Sequence, residues 1–295
     1  MGVPTFVVIC RYCGLVFQNP RLDRNSLNEF YRNYYNGLYS TIVDDDEEYL
    51  DMVKRGSLIY EFIDTKLPDY LSTPKRVLEV GCNKGGCISY FSEKGHAVQG
   101  IDLDPHSADY AKKHNLNVQS IDVLSFASKT DKKFDLIVYN HVLEHITDII
   151  KETDVIRELL EDDGYLFAGV PSLIFGLKVN GWSIRRHVIF DHIYYFTRET
   201  LFNVMKLCGF IEVASEDSPV LKSGKGSHIY SIFSKGKEIA GNVNNMYYQN
   251  IALLEYAKKK SYRFHVKLYR YLRYDFLHMI MPNWFKKIII KLLKI

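Results

Sequence analysis

The sequence predicts an α/β fold built on a seven-stranded, mostly parallel sheet with helices on both faces, and with helical additions at the N- and C-terminal ends. Three observations lead to this prediction. Between residues 75 and 235, short apolar runs alternate with amphipathic runs. The first apolar run leads into a glycine-rich turn, and the second ends at an acid, Asp102. Strands that alternate with helices form βαβ units, which place parallel strands in one sheet.

The predicted elements follow from these runs in order. Strands are predicted at residues 76–80, 97–101, 117–121, 134–139, 164–170, 210–215 and 227–234. Helices are predicted between them at residues 85–94, 105–114, 148–160 and 197–208. Thr197 is a good N-cap for the last of these helices, because its hydroxyl can accept from a free backbone N–H. Gly209 is a good terminator, because glycine readily adopts a left-handed conformation.

The chain divides into three predicted segments, at residues 1–74, 75–235 and 236–295. The first contains a Cys-Arg-Tyr-Cys turn and a Tyr-rich helical stretch, which is a candidate lid. Tyr31, Tyr34, Tyr35 and Tyr39 are expected to pack in the core, or else to offer aromatic faces to a sugar. An acidic run at residues 44–48 is expected to open a helix that runs toward Leu67, since negative charge suits the first turn of a helix. The second segment holds the sheet, and the third is a basic helical tail.

The composition indicates a folded protein from a reducing compartment. The chain has 295 residues, 47% of them hydrophobic, so it can bury a sizeable core. It contains no apolar run of the roughly 18 residues that a transmembrane helix needs. No basic stretch followed by a long apolar segment, the pattern of a secretory signal, is visible. The five cysteines are too few and too scattered for a disulfide framework, so we expect a cytoplasmic protein.

The glycine-rich turn indicates a nucleoside site. Glu79-Val-Gly81-Cys-Asn83-Lys-Gly85 separates the first strand from the first helix, where glycines allow a close backbone approach and helical N–H groups are free. Asp102 follows about twenty residues later at the end of the next strand, where an acid can accept hydrogen bonds from ribose hydroxyls. Taken alone, Asp102 would more often be a solvated turn residue. The turn lacks both the Gly-x-Gly-x-x-Gly fingerprint of dinucleotide sites and a phosphate-binding Gly-Lys-Ser/Thr.

The remaining pattern, Glu-x-Gly-x-x-x-Gly, resembles the S-adenosylmethionine (SAM) site of class I methyltransferases, over about residues 75–235 of this Rossmann-like unit. The resemblance implies SAM as cofactor. It also implies that the turn faces the methionine part of SAM and that Asp102 holds the ribose. Further residues it assigns to the cofactor are Asp122 and the Val123 N–H at the adenine, Asn140 in the pocket, and Glu79, Gly81, Asn83 and Gly85 in the turn.

The run Phe-Asp-Leu-Ile-Val-Tyr-Asn-His-Val-Leu-Glu-His at residues 134–145 resembles a motif of the methyltransferase branch that acts on small molecules and sugars. The resemblance implies methyl transfer to a small polar acceptor, at a hydroxyl of a sugar, nucleotide sugar or surface glycan. Two alternatives stay open: a nucleic-acid methyltransferase, suggested by the basic tail, and a non-catalytic SAM-binding scaffold at a membrane. The sequence argues against the first, because the Asp/Asn-Pro-Pro-Tyr/Phe motif of base methylation is absent.

Methyl transfer to a hydroxyl requires a base, and histidine has a suitable pKa. We rank His192 first and His187 second, because both lie in the segment after strand five that covers the acceptor in this family. His141 is the third candidate. Ubiquinone-pathway O-methyltransferases have a Glu-x-x-Glu-His run that binds a divalent metal. Here His141 replaces the first Glu, so structural roles are preferred for Glu144 and His145 and no metal ligand is assigned. A bound metal and direct acid/base work by these residues stay open as alternatives.

The pair Cys10-Arg-Tyr-Cys13 resembles the second half of a zinc ribbon that precedes methyltransferase domains in this branch. A structural zinc site needs four ligands, and the first Cys pair is missing. We therefore expect this remnant to pack as a strand and turn without zinc.

The tail is expected to bind a surface. Residues 258–295 carry eleven Lys/Arg and one acid, which gives a charge of +10 against −7 for residues 1–257. Residues 284–295 form a predicted amphipathic helix with Trp284 and Phe285 at its start. Such a helix is typical of a membrane interface, and an anionic membrane is the predicted partner. Packing on the protein itself or on a second subunit is the alternative, nucleic acid is disfavoured, and the oligomeric state is open.

Overall fold

The computed structural model describes residues 6–35, 44–189, 191–217, 228–236 and 243–271, without the side chains of 185–186 and 262–271. The predicted amphipathic helix at 284–295 therefore lies outside the described residues, as does most of the basic tail. In the described part of the chain, no helix combines the length and the apolar character needed to cross a membrane.

The main sheet confirms the predicted fold class. Its seven strands are β3 (Arg76–Val80), β4 (Ala97–Asp102), β5 (Val118–Ser120), β6 (Phe134–Asn140), β7 (Leu160–Pro171), β9 (Phe210–Asp217) and β10 (His228–Lys235). They lie in the order β5-β4-β3-β6-β7-β10-β9. All neighbours are parallel except β10, which runs antiparallel to both β7 and β9.

Helices cover both faces of this sheet, which explains why its central strands are apolar almost throughout. In β6, Leu136 and Val138 pack into one hydrophobic cluster while Ile137 and Tyr139 pack into another on the opposite face. The helices are α1 (Arg24–Asn33), α2 (Asp45–Lys66), α3 (Gly86–Glu93), α4 (Pro105–Lys113), α5 (Val123–Ala127), α6 (Ile149–Leu159), α7 (Leu173–Val179), α8 (Ile184–His187), α9 (Arg198–Leu207) and α10 (Tyr247–Tyr271).

Capping confirms two of the predicted helix starts. Asp44 caps α2 by accepting from the N–H groups of Asp46 and Glu47, and the acidic run occupies the first turn as expected. Thr197 caps α9 in a reciprocal capping box with Thr200.

Helix α2 crosses the start of α3 in backbone contact. A Cβ on Gly56 would lie 2.6 Å from the carbonyl oxygen of Cys87, and one on Gly86 would lie 2.5 Å from the carbonyl oxygen of Tyr49. The two glycines let the helices approach closely. This approach places one face of α2 over the end of the sheet where the glycine turn lies.

A second, three-stranded sheet joins the N-terminal hairpin to the main domain. Its order is β1-β2-β8, with strands Val7–Ile9, Val16–Gln18 and Tyr194–Tyr195. Cys10 and Cys13 lie on the turn between β1 and β2 as free thiols, and Cys13 is buried. The Asn203 amide donates to the Cys13 carbonyl (3.1 Å), which fastens this turn to α9.

Candidate functional site

A cavity of about 380 Å³ lies at the carboxyl ends of β3, β4 and β6, beneath helices α1 and α2. Open parallel sheets bind ligands at this edge. Of the predicted cofactor residues, Gly81, Asn83, Asp102, Asp122, Val123 and Asn140 line the cavity. His141 lines it as well, whereas His187 and His192 do not.

The glycine turn and Asp102 form one hydrogen-bonded unit at the cavity wall. Asn83 adopts a positive φ of 46°, and its backbone N–H donates to Asp102 Oδ2 at 2.7 Å. The N–H of Asp104 donates to Oδ1 of the same carboxylate at 2.9 Å. Burial raises the Asp102 pKa to about 6, against backbone hydrogen bonds that lower it. Each oxygen keeps a lone pair that a ligand hydroxyl can use.

The turn is also bound to α2. The Asn83 amide donates to Glu48 at 3.0 Å and accepts from the Ser107 hydroxyl at 2.9 Å. The buried ammonium of Lys84 pairs with Glu48 and, at 3.1 Å, with Asp45. These contacts hold the first turn of α2 beside the cavity rim.

Glu79 and Gly85 lie beneath the cavity rather than in its wall. Burial raises the Glu79 pKa to about 8, and its Oε2 has no hydrogen-bond partner among the described residues. A Cβ on Gly85, at φ 79°, would meet the Leu116 side chain at 2.8 Å. Both residues therefore support the glycine turn from below. Strand β3 points the Glu79 side chain into the core, and Gly85 packs against Leu116.

Asp122 lines the same cavity as Asp102 and also caps α5. It accepts from the Ser125 N–H at 3.0 Å and from the Ser125 hydroxyl at 2.7 Å. Burial acts to raise the Asp122 pKa, but these hydrogen bonds and the charges of Arg24 and Arg32 outweigh it and hold the pKa below its ordinary value. Asp122 therefore stays ionised, next to the Val123 N–H.

The end of β6 delivers polar side chains into the cavity. Asn140 Oδ1 is buried and has no hydrogen-bond partner in the described part of the chain. His141 follows with a positive φ of 59°, and its Nδ1 lies 3.4 Å from Glu144 Oε1. Its ring meets that of His228 edge-on, with centroids 4.3 Å apart.

Glu144, His145 and His192 form a cluster at this wall, and His145 itself lines the cavity. One ligand atom from each lies within 4.8 Å of the others, so the three could hold a metal ion. Burial acts to raise the Glu144 pKa, but His141, His145 and His192 outweigh it and lower that pKa to about 2. Burial lowers the His192 pKa to about 4.

The two histidines ranked first from the sequence thus lie away from the cavity wall. The His192 ring packs edge-on against that of His145, with centroids 4.7 Å apart, and does not itself line the cavity. His187 ends the short α8, where it packs against Gly176 and Tyr195. Burial lowers the His187 pKa, so the ring is neutral.

The sequence prediction missed the residues that α2 contributes, although it allowed that the tyrosines before α2 could form a lid. Glu48, Met52 and Arg55 reach the cavity from α2, Tyr31 reaches it from α1, and Tyr35 reaches it from just beyond the end of α1. Spacings of four and three residues place the three α2 residues on one helical face. That periodicity was visible in the sequence, but it did not show which face would meet the glycine turn.

A family model described as a methyltransferase domain matches residues 54–214, more than half of the chain. The chain belongs to this methyltransferase family. The match spans the glycine turn, Asp102, Asp122 and the Asn140–His145 region. It confirms the predicted class I SAM-dependent methyltransferase domain, with SAM as its cofactor.

Among curated relatives, this methyltransferase is similar to ubiquinone biosynthesis O-methyltransferases. It is 30% identical over 101 residues to that of Paraburkholderia phymatum, covering 32% of this chain and 44% of the relative. It is 29% identical over 120 residues to the enzyme of Haemophilus ducreyi, covering 37% of this chain and 50% of the relative. The chain thus spans about half the length of the curated relatives it matches.

Solved structures share the fold of this methyltransferase. The 1,6-didemethyltoxoflavin N1-methyltransferase of Burkholderia thailandensis, with S-adenosylhomocysteine bound, matches with a TM-score of 0.55 and 19% identity over 76% of this chain and 96% of that one. The magnesium protoporphyrin IX methyltransferase of Synechocystis, also with S-adenosylhomocysteine bound, matches with a TM-score of 0.54. Its sequence is 13% identical, and the match covers 72% of this chain and 100% of that one.

Proposed function

We propose that the protein is a SAM-dependent O-methyltransferase that acts on a hydroxyl of a small polar acceptor. One observation carries the proposal: a single cavity joins the acid-and-glycine nucleoside site at Asp102 to the imidazoles of His141 and His145. The family membership supports the methyl transfer, and the O-methyltransferase relatives support oxygen as the methylated atom.

The cofactor residues fit SAM because their free hydrogen-bonding groups match its parts. Asp102 offers lone pairs to the ribose hydroxyls, while Asp122 and the Val123 N–H lie where the adenine would bind. Arg55 supplies a positive charge for the methionine carboxylate near the start of α3. SAM, when bound, supplies an electrophilic methyl group for in-line displacement.

His141 is the residue we assign as base. Its Nδ1 lies 3.4 Å from the ionised Glu144, which favours a proton on Nδ1 and leaves Nε2 free to accept the proton of an acceptor hydroxyl. This arrangement follows the logic of a carboxylate that orients a catalytic imidazole. His141 replaces His192 and His187 as first choice because it lines the cavity and they do not.

The acceptor is proposed to be a sugar, nucleotide sugar or surface glycan, on the strength of the resemblance of residues 134–145. A phenolic acceptor is the second candidate, favoured by the ubiquinone-pathway relatives and by Tyr31 and Tyr35 in the cavity wall. Methylation assays with labelled SAM on panels of nucleotide sugars, glycans and catechols separate the two. No transfer to any hydroxyl acceptor would contradict O-methylation.

The base assignment is tested by His141→Ala against the control His187→Gln. We expect His141→Ala to lower kcat by about 100-fold or more, as loss of a general base does, with SAM affinity unchanged. His187→Gln should turn over normally. A fully active His141→Ala protein, or loss of kcat in His187→Gln, would contradict the assignment.

We also propose that the basic segment 258–295 binds anionic membranes, from its charge and amphipathic pattern. The full chain should sediment with anionic vesicles and remain in solution with neutral ones. Equal sedimentation of a chain that ends at residue 241 would contradict this proposal.

A further inference from the structure

Gln18, the last residue of β2, is a buried amide that binds a loop on the other side of the cavity wall. Its amide nitrogen donates to the carbonyl oxygen of Ile189 and, at 2.7 Å, to that of His192. Its backbone N–H donates to the Ile193 carbonyl oxygen at 2.8 Å. Side chain and backbone of Gln18 therefore hold the same loop, which comprises residue 189 and residues 191–193 and is named the Asp191 loop.

An amide suits this position because two carbonyl oxygens of the loop converge on it. An amide NH2 group has two N–H donors, one for each carbonyl oxygen. The Tyr195 hydroxyl lies 2.9 Å from the same nitrogen and donates to the Ile189 carbonyl oxygen at 3.2 Å. Buried carbonyl oxygens that lose their donors are destabilised. Removal of the Gln18 amide should therefore shift the loop.

The other side of the Asp191 loop contacts residues of the cavity wall. The Asp191 carbonyl oxygen accepts from His145 Nδ1 at 2.9 Å, and the Asp191 carboxylate accepts from the Tyr31 hydroxyl at 3.3 Å. The Tyr31 hydroxyl also lies 2.8 Å from His145 Nδ1. Tyr31 and His145 line the cavity, whereas Gln18 and Asp191 do not. The loop thus lies between the buried amide and the wall.

We propose that Gln18 is a positioning residue for the acceptor end of the cavity: its amide holds the Asp191 loop, and the loop fixes Tyr31 and His145 in the wall. The proposed base belongs to the same end, because His141 Nδ1 and His145 Nε2 lie 3.4 and 3.8 Å from the same Glu144 oxygen. The role at the acceptor rests on the proposed function, whereas the hold on His145 does not.

The position of Gln18 follows from the register of the small sheet. In the β2–β8 pair, Val16 lies opposite Tyr195 and Phe17 opposite Tyr194. One step further places Gln18 beside Ile193, where the Asp191 loop leads into β8. Gln18 lies outside the residues that the methyltransferase family model matches, so the N-terminal hairpin adds this contact to the domain.

A matched pair of variants separates positioning from the loss of any buried amide. Gln99 is also buried, and its amide donates to the Gly100 and Asn117 carbonyl oxygens at 2.9 and 3.2 Å. None of these three residues lines the cavity. Gln18→Met and Gln99→Met remove the same donors at similar side-chain length. If Gln18→Met lacks a cooperative unfolding transition, Gln18→Ser takes its place, because its smaller side chain leaves room for water.

The His145 imidazole reports on the loop without any acceptor. A carbonyl oxygen only accepts, so the hydrogen bond to Asp191 places the proton on Nδ1 and protects it from exchange with water. Proton–nitrogen NMR spectra of the full chain, labelled at histidine and assigned with His145→Gln, measure this exchange. We expect it to be about tenfold faster in Gln18→Met and unchanged in Gln99→Met. Wild-type exchange in Gln18→Met, or a wild-type His145 with its proton on Nε2, would overturn the proposal.

Steady-state kinetics test the role at the acceptor, with labelled SAM as methyl donor and catechol and UDP-glucose as probes. For the probe that the wild type methylates, Gln18→Met should raise KM about tenfold and leave SAM affinity unchanged in calorimetry. An equal rise in Gln99→Met would show general destabilisation and overturn the role. A wild type that methylates no hydroxyl acceptor contradicts the proposed function, and the histidine spectra still decide whether Gln18 holds His145.

Discussion

The backbone N–H of Asn83 donates to Asp102 Oδ2 across 2.7 Å, which joins the glycine turn after β3 to the acid that ends β4. The Asp104 N–H holds the second oxygen at 2.9 Å. Two backbone donors therefore fix the carboxylate before any ligand binds. A preorganised acceptor of this kind does not have to be ordered when a ribose binds, which favours affinity.

Removing this charge should weaken cofactor binding. Asp102→Asn keeps the size of the side chain but loses the ionised acceptor, and hydrogen bonds to charged groups contribute about 1.5–3 kcal/mol. We expect SAM affinity to fall about 10- to 100-fold by calorimetric titration. Asp109→Asn, an exposed acid on α4, is the matched control and should bind SAM normally. Equal SAM affinity in Asp102→Asn and the wild type would contradict the ribose role.

SAM binding should also weaken at acidic pH. Burial raises the Asp102 pKa from 3.8 to about 6, so the carboxylate becomes protonated as the pH falls through 6. We expect affinity to drop by up to about tenfold per pH unit below that value and to level off above pH 7. The stability of the fold changes with pH in the opposite direction to SAM affinity. Because the Asp102 pKa is raised in the folded protein, this group contributes less to the free energy of unfolding as the pH rises through 6. Titrations at several pH values measure the slope, and Asp102→Asn should flatten it.

Arg55 should select ligands that carry a carboxylate. It lines the cavity beside the start of α3, where we place the methionine end of SAM. Arg55→Ala should lower SAM affinity about 10- to 100-fold, as loss of a charged hydrogen bond does. It should leave the affinity for decarboxylated SAM nearly unchanged. Parallel loss of affinity for both ligands would contradict a contact with the carboxylate.

The glycine contact between α2 and α3 should tolerate no side chain. Gly56→Ala would gain about 1 kcal/mol of helix propensity. It would also force a Cβ to within 2.6 Å of the Cys87 carbonyl oxygen, and overpacking costs about 1–3 kcal/mol. Because backbone cannot yield as a flexible side chain does, we expect net destabilisation in denaturant unfolding. Lys54→Ala, on the exposed face of α2, is the control. Unchanged stability of Gly56→Ala would contradict rigid packing.

The fold could be predicted from the sequence because the features that specify it act on neighbouring residues. These features are the N-cap Thr197, the acidic run at 44–48 and the apolar strands, and the structure confirms each of them. Asp102 could be found because strand and helix lengths fix its distance from Gly81.

The rest of the site depends on tertiary packing. Arg55 and Tyr31 belong to helices that reach the cavity through contacts with distant parts of the chain. His192 and His145 are 47 positions apart in the sequence and pack ring to ring. Spacing within a motif cannot show that His192 faces Glu144 rather than the cavity.

Calorimetric titration of the purified, ligand-free protein with SAM and with S-adenosylhomocysteine tests the central claim most directly. The account predicts saturable binding of both ligands at one site per chain. The expected affinity is micromolar, which corresponds to a binding free energy of about −8 kcal/mol. Absence of binding by folded protein would contradict a SAM site at Gly81 and Asp102, and with it the proposed methyltransferase activity.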